Sequence, residues 1–185
     1  MRWQKIENTG PQPQARGGHT VCTVGEKVYL FGGCSYLGGP TAPSPTVSTA
    51  ATTTPSGSST LVYHENDVWS LDLHTLTWSV VCPGGTGAPS RRYAHASAVV
   101  GSAIVVFGGY NTRETYLGDL WIFDTATCTW REVAPRPGSG PGPAARYAHT
   151  AVSVGGTVYV FGGCAELACF RDMWALDTTT ATWTK

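Results

Sequence analysis

Apolar residues in this chain fall in short runs bounded by glycine, proline or aspartate-threonine turns, and no stretch repeats them at helical spacing. Three runs, Val28 to Phe31, Ile104 to Phe107 and Val158 to Phe161, are apolar at every position instead of alternating, which predicts strands buried on both faces. Each is followed by a glycine pair: Gly32 and Gly33, Gly108 and Gly109, Gly162 and Gly163. There the backbone can take a positive φ, and another segment can approach where a side chain would stand. The pattern predicts an all-β fold of many short strands.

The runs belong to a repeat. Arg16 and His19 precede the first, and Asp67, Trp69, Asp72 and Trp78 follow it. Arg92 and His95, then Asp119, Trp121, Asp124 and Trp130, flank the second; Arg146 and His149, then Asp172, Trp174, Asp177 and Trp183, flank the third. The first aspartate of each set recurs at intervals of 52 and 53 residues, and so does the last tryptophan. A unit of this length signals an array of small sheets that bury one another. Four apolar segments per copy predict one four-stranded antiparallel sheet each.

The order Phe-Gly-Gly, Asp-x-Trp, Asp and a second Trp is similar to the kelch repeat, and the likeness covers nearly the whole chain outside one insertion. The resemblance implies a kelch-type β-propeller segment over residues 1–185, with blades at 16–81, 82–133 and 134–185. Before them, in residues 1–15, Trp3 to Asn8 reads as the fourth strand of a blade whose other strands are absent. Three blades are too few to close around an axis, since propellers generally use about four to eight. Two sheet faces would stay uncovered, and at about 400 Å² of apolar surface each the lost burial is roughly 10 kcal/mol per face. Either the chain is part of a longer propeller, or two copies complete a six-bladed ring.

Composition removes several classes of function. With 12 basic and 12 acidic residues among 185 and only 13% charged, the chain has no electrostatic footprint for nucleic acid or an anionic membrane surface. No apolar run approaches the roughly 20 residues of a spanning helix, and the first residues lack the apolar segment of a secretory leader. A cytoplasmic location is expected, with cytoskeletal or ciliary association open. None of the six cysteines (Cys22, Cys34, Cys82, Cys128, Cys164, Cys169) stands in a CxxC spacing, so all are expected to remain thiols.

Successive strands reverse direction, so the second-to-third and fourth-to-first loops share one face of the array. On that face Tyr110, Asn111, Arg113, Glu114 and Tyr116, with Glu166, Leu167, Phe170 and Arg171 in the third copy, offer the aromatic and charged mix enriched at interface hot spots. The matching interval in the first copy, Gly33 to Asp67, is 34 residues against 10 and 9. Its insertion, at about 35–62, is low in complexity and lacks the apolar content for a core of its own. It reads as a tolerated surface expansion, with a partner-binding or phosphorylatable arm as the alternative.

Chemistry finds little support. The Arg-x-x-His unit recurs in every copy, whereas a catalytic group is needed once, so these residues are expected to be structural, as are the tryptophans. Asp67, Asp119 and Asp172 are expected to accept backbone N–H groups at a turn. His64, Glu65 and Asp67 lie close in sequence, but strand alternation separates them and no fourth ligand is evident, so no metal or cofactor is expected. Some kelch propellers are copper-dependent oxidases or iron-dependent specifier proteins. This chain has no ExxxDxxxH iron pattern, phosphate loop or serine elbow. No BTB domain is seen either. The expected function is therefore a non-enzymatic protein–protein interaction scaffold or adaptor, acting as a homodimer or within a larger complex. The alternative is a kelch-propeller enzyme whose site lies in blades not present here.

Overall fold

The computed structural model describes residues 2–37, 61–111, 113, 115–134 and 140–185, and among them it contains strands but no helix. The first copy forms β1 (Thr20–Val24), β2 (Lys27–Phe31), β3 (Cys34–Leu37), β4 (Leu61–His64), β5 (Val68–Asp72) and β6 (Thr77–Cys82). Strands β1, β2, β5 and β6 make one antiparallel sheet in that order, while β3 and β4 leave it as a two-stranded ribbon. The second copy forms β7 (Arg92–Tyr93), β8 (Ala96–Val100), β9 (Ala103–Asn111), β10 (Tyr116–Asp124) and β11 (Thr129–Glu132). Here β7 and β8 are two pieces of one first strand, both paired with β9 and separated where Ala94 turns at φ 53°. The third copy forms β12 (Thr150–Val154), β13 (Thr157–Phe161), β14 (Cys164–Ala165), β15 (Ala168–Cys169), β16 (Met173–Asp177) and β17 (Thr182–Thr184). Its sheet runs β12, β13, β16, β17, with β14 and β15 as a short separate hairpin.

One side chain sets the turn between third and fourth strands in every copy. Asp72 Oδ1 accepts the N–H groups of His74 and Thr75 at 2.9 and 3.0 Å, and Asp124 and Asp177 cap the next two residues but one in the same way. Leu76, Cys128 and Ala181 close these turns at φ 54°, 55° and 54°.

Strand alternation gives each sheet two apolar faces, and the three sheets stack as blades. Cys22, Tyr29, Phe31 and Val68 of the first blade meet Ile104, Val106 and Phe123 of the second. Trp130 fills the seam, its ring 4.7 Å from Phe31 and 4.9 Å from Phe123. The opposite face of the second blade, with Ala98, Val105, Phe107 and Leu120, meets Val158, Val160 and Leu176, and Trp183 lies 5.3 Å from Phe107. Covered on both sides, Ile104 to Phe107 are at most 4% exposed, as their unbroken apolar run requires. The far face of the third blade has no such cover: Val152, Val154, Phe161 and Met173 are 59%, 64%, 49% and 56% exposed.

Three features differ from the sequence reading. Residues 2–8 form no strand; Trp3 is 93% exposed, and the segment meets the first sheet through an isolated parallel bridge from Thr9 to Thr77. A fourth strand needs the free edge of a third strand, and the edge of β16 is held by β17. Cys164 and Cys169 form a disulfide across the β14–β15 hairpin, where they are directly opposed, so these two are not thiols; Cys22, Cys34, Cys82 and Cys128 are free. Finally, the insertion expected at about 35–62 begins and ends in the β3–β4 ribbon, and residues 38–60 lie outside the described residues.

Candidate partner-binding face

A buried guanidinium anchors each blade. Arg92 donates from Nη1 and Nη2 to the two carboxylate oxygens of Asp119 at 2.8 and 2.7 Å, from Nη1 to the Gly108 carbonyl at 2.9 Å and from Nε to the Ser90 carbonyl at 3.1 Å. Arg146 repeats this with Asp172 and Gly162, and Arg16 with Asp67 and Gly32. Each carboxylate also accepts the indole N–H of the tryptophan two residues on, Trp69, Trp121 or Trp174. The repeated aspartates thus serve chiefly as guanidinium and indole acceptors, a pairing the turn-based expectation missed.

The arginine main chain reaches the preceding blade. Gly33 N–H donates to the Arg92 carbonyl at 2.9 Å and Gly109 N–H to that of Arg146 at 2.8 Å, while Ala94 and Ala148 N–H groups donate to the carbonyls of Gly18 and Ala94 at 2.7 and 2.8 Å. This contact explains the first glycine of the first two pairs: a Cβ on Gly32 or Gly108, both at φ 65°, would stand 2.8 or 2.6 Å from the carbonyl of Arg92 or Arg146. The histidines complete the seams. His95 lies edge-on to Phe31 at 5.0 Å and shares a hydrogen bond with Thr20 Oγ1 at 2.8 Å, and His149 lies edge-on to Phe107 at 5.4 Å. Burial, then the charge of Arg92, pushes His95 down to about 3; burial and Arg146 push His149 down to about 4. Neutral rings wedged between blades are poorly placed to serve a substrate as bases.

The loops that carry these arginines also build a surface. His64 and Tyr93 have ring centroids 4.9 Å apart, Tyr93 and Tyr110 5.6 Å, Tyr110 and Tyr147 6.0 Å, and Tyr116 stacks on Tyr147 at 5.6 Å with 27° between planes. All five rings are half-buried. Tyr93, in β7, and Tyr147 directly follow fourth-to-first connections, whereas Tyr110, Tyr116 and His64 border second-to-third connections, so the ends of the two loop classes meet on one face. Beside the band, Arg91 Nη1 donates to the His64 carbonyl at 2.9 Å and lies 3.6 Å from Glu65 Oε2. Burial, reinforced by the neighbouring charge of Asp67, raises the Glu65 carboxyl despite Arg16 and Arg91. Burial and Arg91 lower His64.

The sequence-picked residues divide between surface and scaffold. Tyr110 and Tyr116 belong to the band, Arg113 is exposed at the turn between β9 and β10, and Glu114 lies outside the described residues. Asn111 is buried, and its Oδ1 accepts the N–H groups of Arg113 and Thr115 at 3.0 and 3.1 Å, so it shapes the turn. In the third blade Leu167 is fully exposed beside Glu166, which turns at φ 51° at the tip of the disulfide-closed hairpin. Arg171 is exposed, whereas Phe170 lies under the Arg146 guanidinium, 4.1 Å from ring centroid to Cζ. Tyr93, Tyr147, His64 and Arg91 were missed; the recurrence of tyrosine between the arginine and histidine of the second and third copies was the signal for the two tyrosines, and the sequence pattern carried none for His64 or Arg91. Trp78, on the outer side of the first blade, is half-buried. Among the described residues no group of three His, Cys, Asp or Glu side chains is placed to hold a metal, and no helix is long and apolar enough to cross a membrane.

Comparison with known proteins fits this architecture. The profile of the KLHDC2/KLHL20/DRC7 Kelch-repeats domain matches residues 53–185, and that of the Kelch motif matches residues 15–46. Kelch domain-containing protein 3 of Bos taurus is 30% identical over 194 residues, covering all of this chain and 44% of the relative. Kelch domain-containing protein 10 of Xenopus tropicalis is 28% identical over 188 residues (all of this chain, 40% of the relative), and Acyl-CoA-binding domain-containing protein 4 of Arabidopsis thaliana is 27% identical over 220 residues (all of this chain, 32% of the relative). The chain spans less than half the length of these relatives. With repeat, blade stacking and both matches in agreement, the chain belongs to the kelch-repeat family.

Proposed function

We propose that this protein is a cytoplasmic scaffold or adaptor that receives a protein partner on the face carrying the tyrosine band, as part of a larger assembly in which cytoskeletal or ciliary association is one setting. The observation that supports this reading is the band itself: rings from three successive blades meet on one surface with Arg91 held against His64, and the second-to-third connections of the second and third blades carry the exposed Arg113, Leu167 and Arg171. Rigid aromatic side chains supply contact area at low entropic cost and arginine supplies directional hydrogen bonds, the combination found at binding hot spots. Kelch-repeat proteins commonly work through protein interaction, and this reading accords with that.

The test is affinity capture with the chain as bait, compared with Tyr116→Ala/Tyr147→Ala and Arg113→Glu/Arg171→Glu variants whose circular dichroism matches the parent. A partner recovered by the parent is expected to bind each variant at least about tenfold more weakly. Equal recovery by parent and both variants would remove the face from consideration.

A further inference from the structure

We infer that Cys164 and Cys169 form a reversible redox site: a small thiol of the glutathione class and its disulfide open and close the bond in the folded protein, and the bond fixes or frees the hairpin tip at Glu166 and Leu167. The site itself does not depend on the binding-face reading; only its consequence for a partner rests on that reading. Access is the first ground. Cys169 is the one exposed cysteine among the described residues, which include all six, whereas Cys22 and Cys34 are buried and Cys82, Cys128 and Cys164 half-buried. An external thiolate can therefore reach Cys169 Sγ without unfolding the blade.

The other blades show that the bond is not what builds the fold. Directly after its glycine pair each copy sets one residue opposite another: Cys34 opposite His64, Tyr110 opposite Tyr116 and Cys164 opposite Cys169. In the second blade the two rings lie 5.2 Å apart, and Asn111 Oδ1 closes the turn by accepting the N–H groups of Arg113 and Thr115. The third blade has Ala165 where Asn111 stands, a side chain that accepts nothing. There the covalent bond closes a turn in which Glu166 takes φ 51°, a conformation costly for a residue with a β-carbon. Separated by five positions, the pair closes a short loop and restrains the unfolded chain less than a long-range bridge would. Main-chain bonds hold both ends of the hairpin without it: Cys164 and Tyr147 exchange N–H···O bonds at 2.9 and 3.0 Å, and Phe170 N–H donates to the Gly163 carbonyl at 2.7 Å. Opening the bond thus loosens residues 165–169, beside Tyr147 of the band, and leaves the blade in place. In the cytoplasmic setting proposed above, thiol pools keep most cysteines reduced and disulfides are chiefly transient.

In the opening direction the external thiolate bonds to Cys169 Sγ, and the S–S electron pair leaves on Cys164 Sγ, which takes up a proton. A second thiolate attacks the external sulfur and displaces Cys169, which is protonated in turn, so two protein thiols and one external disulfide result. Closing is the same exchange in reverse. The test equilibrates the folded protein in graded mixtures of reduced and oxidised glutathione, quenches with acid, labels thiols and maps Cys164 and Cys169 by mass. Both are expected to be free at the reducing end, joined at the oxidising end, and interchanged when the mixture is reversed. A bond that survives every mixture, or thiols that never rejoin, overturns the proposal. A glutamate-specific protease then reads the tip: cleavage after Glu166 is expected to be at least about tenfold faster in the reduced protein, and equal rates overturn the proposal. Cys164→Ser/Cys169→Ser, with matching dichroism, is expected to be cut at the reduced rate in every mixture; should it fail to fold, both comparisons within the parent still decide. No partner enters either measurement, so a face that captures nothing leaves the redox site standing, and a bond that does not exchange leaves the face.

Discussion

Arg92 and Asp119 are joined by two hydrogen bonds, at 2.8 and 2.7 Å, with the guanidinium wholly excluded from solvent and the carboxylate 26% exposed. Removing one partner strands a buried charge, which typically costs about 3–5 kcal/mol. Asp119→Ala is expected to fall in that range by urea denaturation, and Arg92→Met/Asp119→Leu to cost clearly less than the sum of its parts. Arg92→Lys should not rescue, because an ammonium group cannot span the Asp119, Gly108 and Ser90 acceptors together.

Acid should loosen the seams before it breaks the blades. His95 and His149 are held to about 3 and about 4 against 6.5 in the unfolded chain, so between pH 6.5 and about 3 the unfolded state binds more protons. Stability is therefore full above pH 6.5 and is lost as pH falls through that window, by several kcal/mol in all. The hydrogen bonds of Arg146 hold Asp172 at about 2, so its contribution disappears lower, between pH 3.8 and about 2. Thermal melts at stepped pH should show the first decline, and His95→Gln, which keeps a partner for Thr20, should make it shallower.

Glycines that read alike in sequence should respond differently to the same substitution. Gly108→Ala sets a methyl group 2.6 Å from the Arg146 carbonyl at an already unfavourable φ, and is expected to cost more than about 3 kcal/mol. Gly162→Ala meets nothing closer than 3.5 Å and should cost only the left-handed backbone penalty of about 1–2 kcal/mol. Urea denaturation of the two variants against the parent measures the difference.

Phe170 was chosen from the sequence as a surface contact, but its ring lies under the Arg146 guanidinium. Phe170→Ala is expected to lower stability by about 1 kcal/mol through the lost cation–π contact, while Leu167→Ala changes stability by less than about 0.5 kcal/mol. Denaturant midpoints of the two variants would show the difference.

Much of the fold was legible because the blades share one vocabulary. The unbroken run at Ile104 to Phe107 announced a strand covered on both faces, and the spacing of aspartates and tryptophans announced the blades. The same vocabulary concealed what differs: Phe161 is written like Phe107, yet its exposure depends on whether a blade follows it, a property of the neighbour and not of the residue. Long-range pairing was hidden as well, since Arg16 meets Asp67 across 51 residues and Arg92 meets Asp119 across 27, and spacing alone does not say which charges converge. The tyrosine band was half legible: Tyr110 and Tyr116 stood out as loop aromatics, while Tyr93 and Tyr147 were hidden inside a motif read as structural. The Cys164–Cys169 bond escaped because its spacing suits a tight hairpin and not a redox or zinc motif.

The β3–β4 ribbon sets Leu37 opposite Leu61, so the chain leaves the first blade and returns to it at neighbouring points. The blade is therefore indifferent to how much polypeptide is spliced between those points: doubling the spliced length costs only about 0.6 kcal/mol in closure entropy. For evolution this is a position where length can drift freely or a new module can be acquired whole. For the engineer it is a graft point, where a fluorescent protein or recognition peptide can be mounted without disturbing the register of any blade.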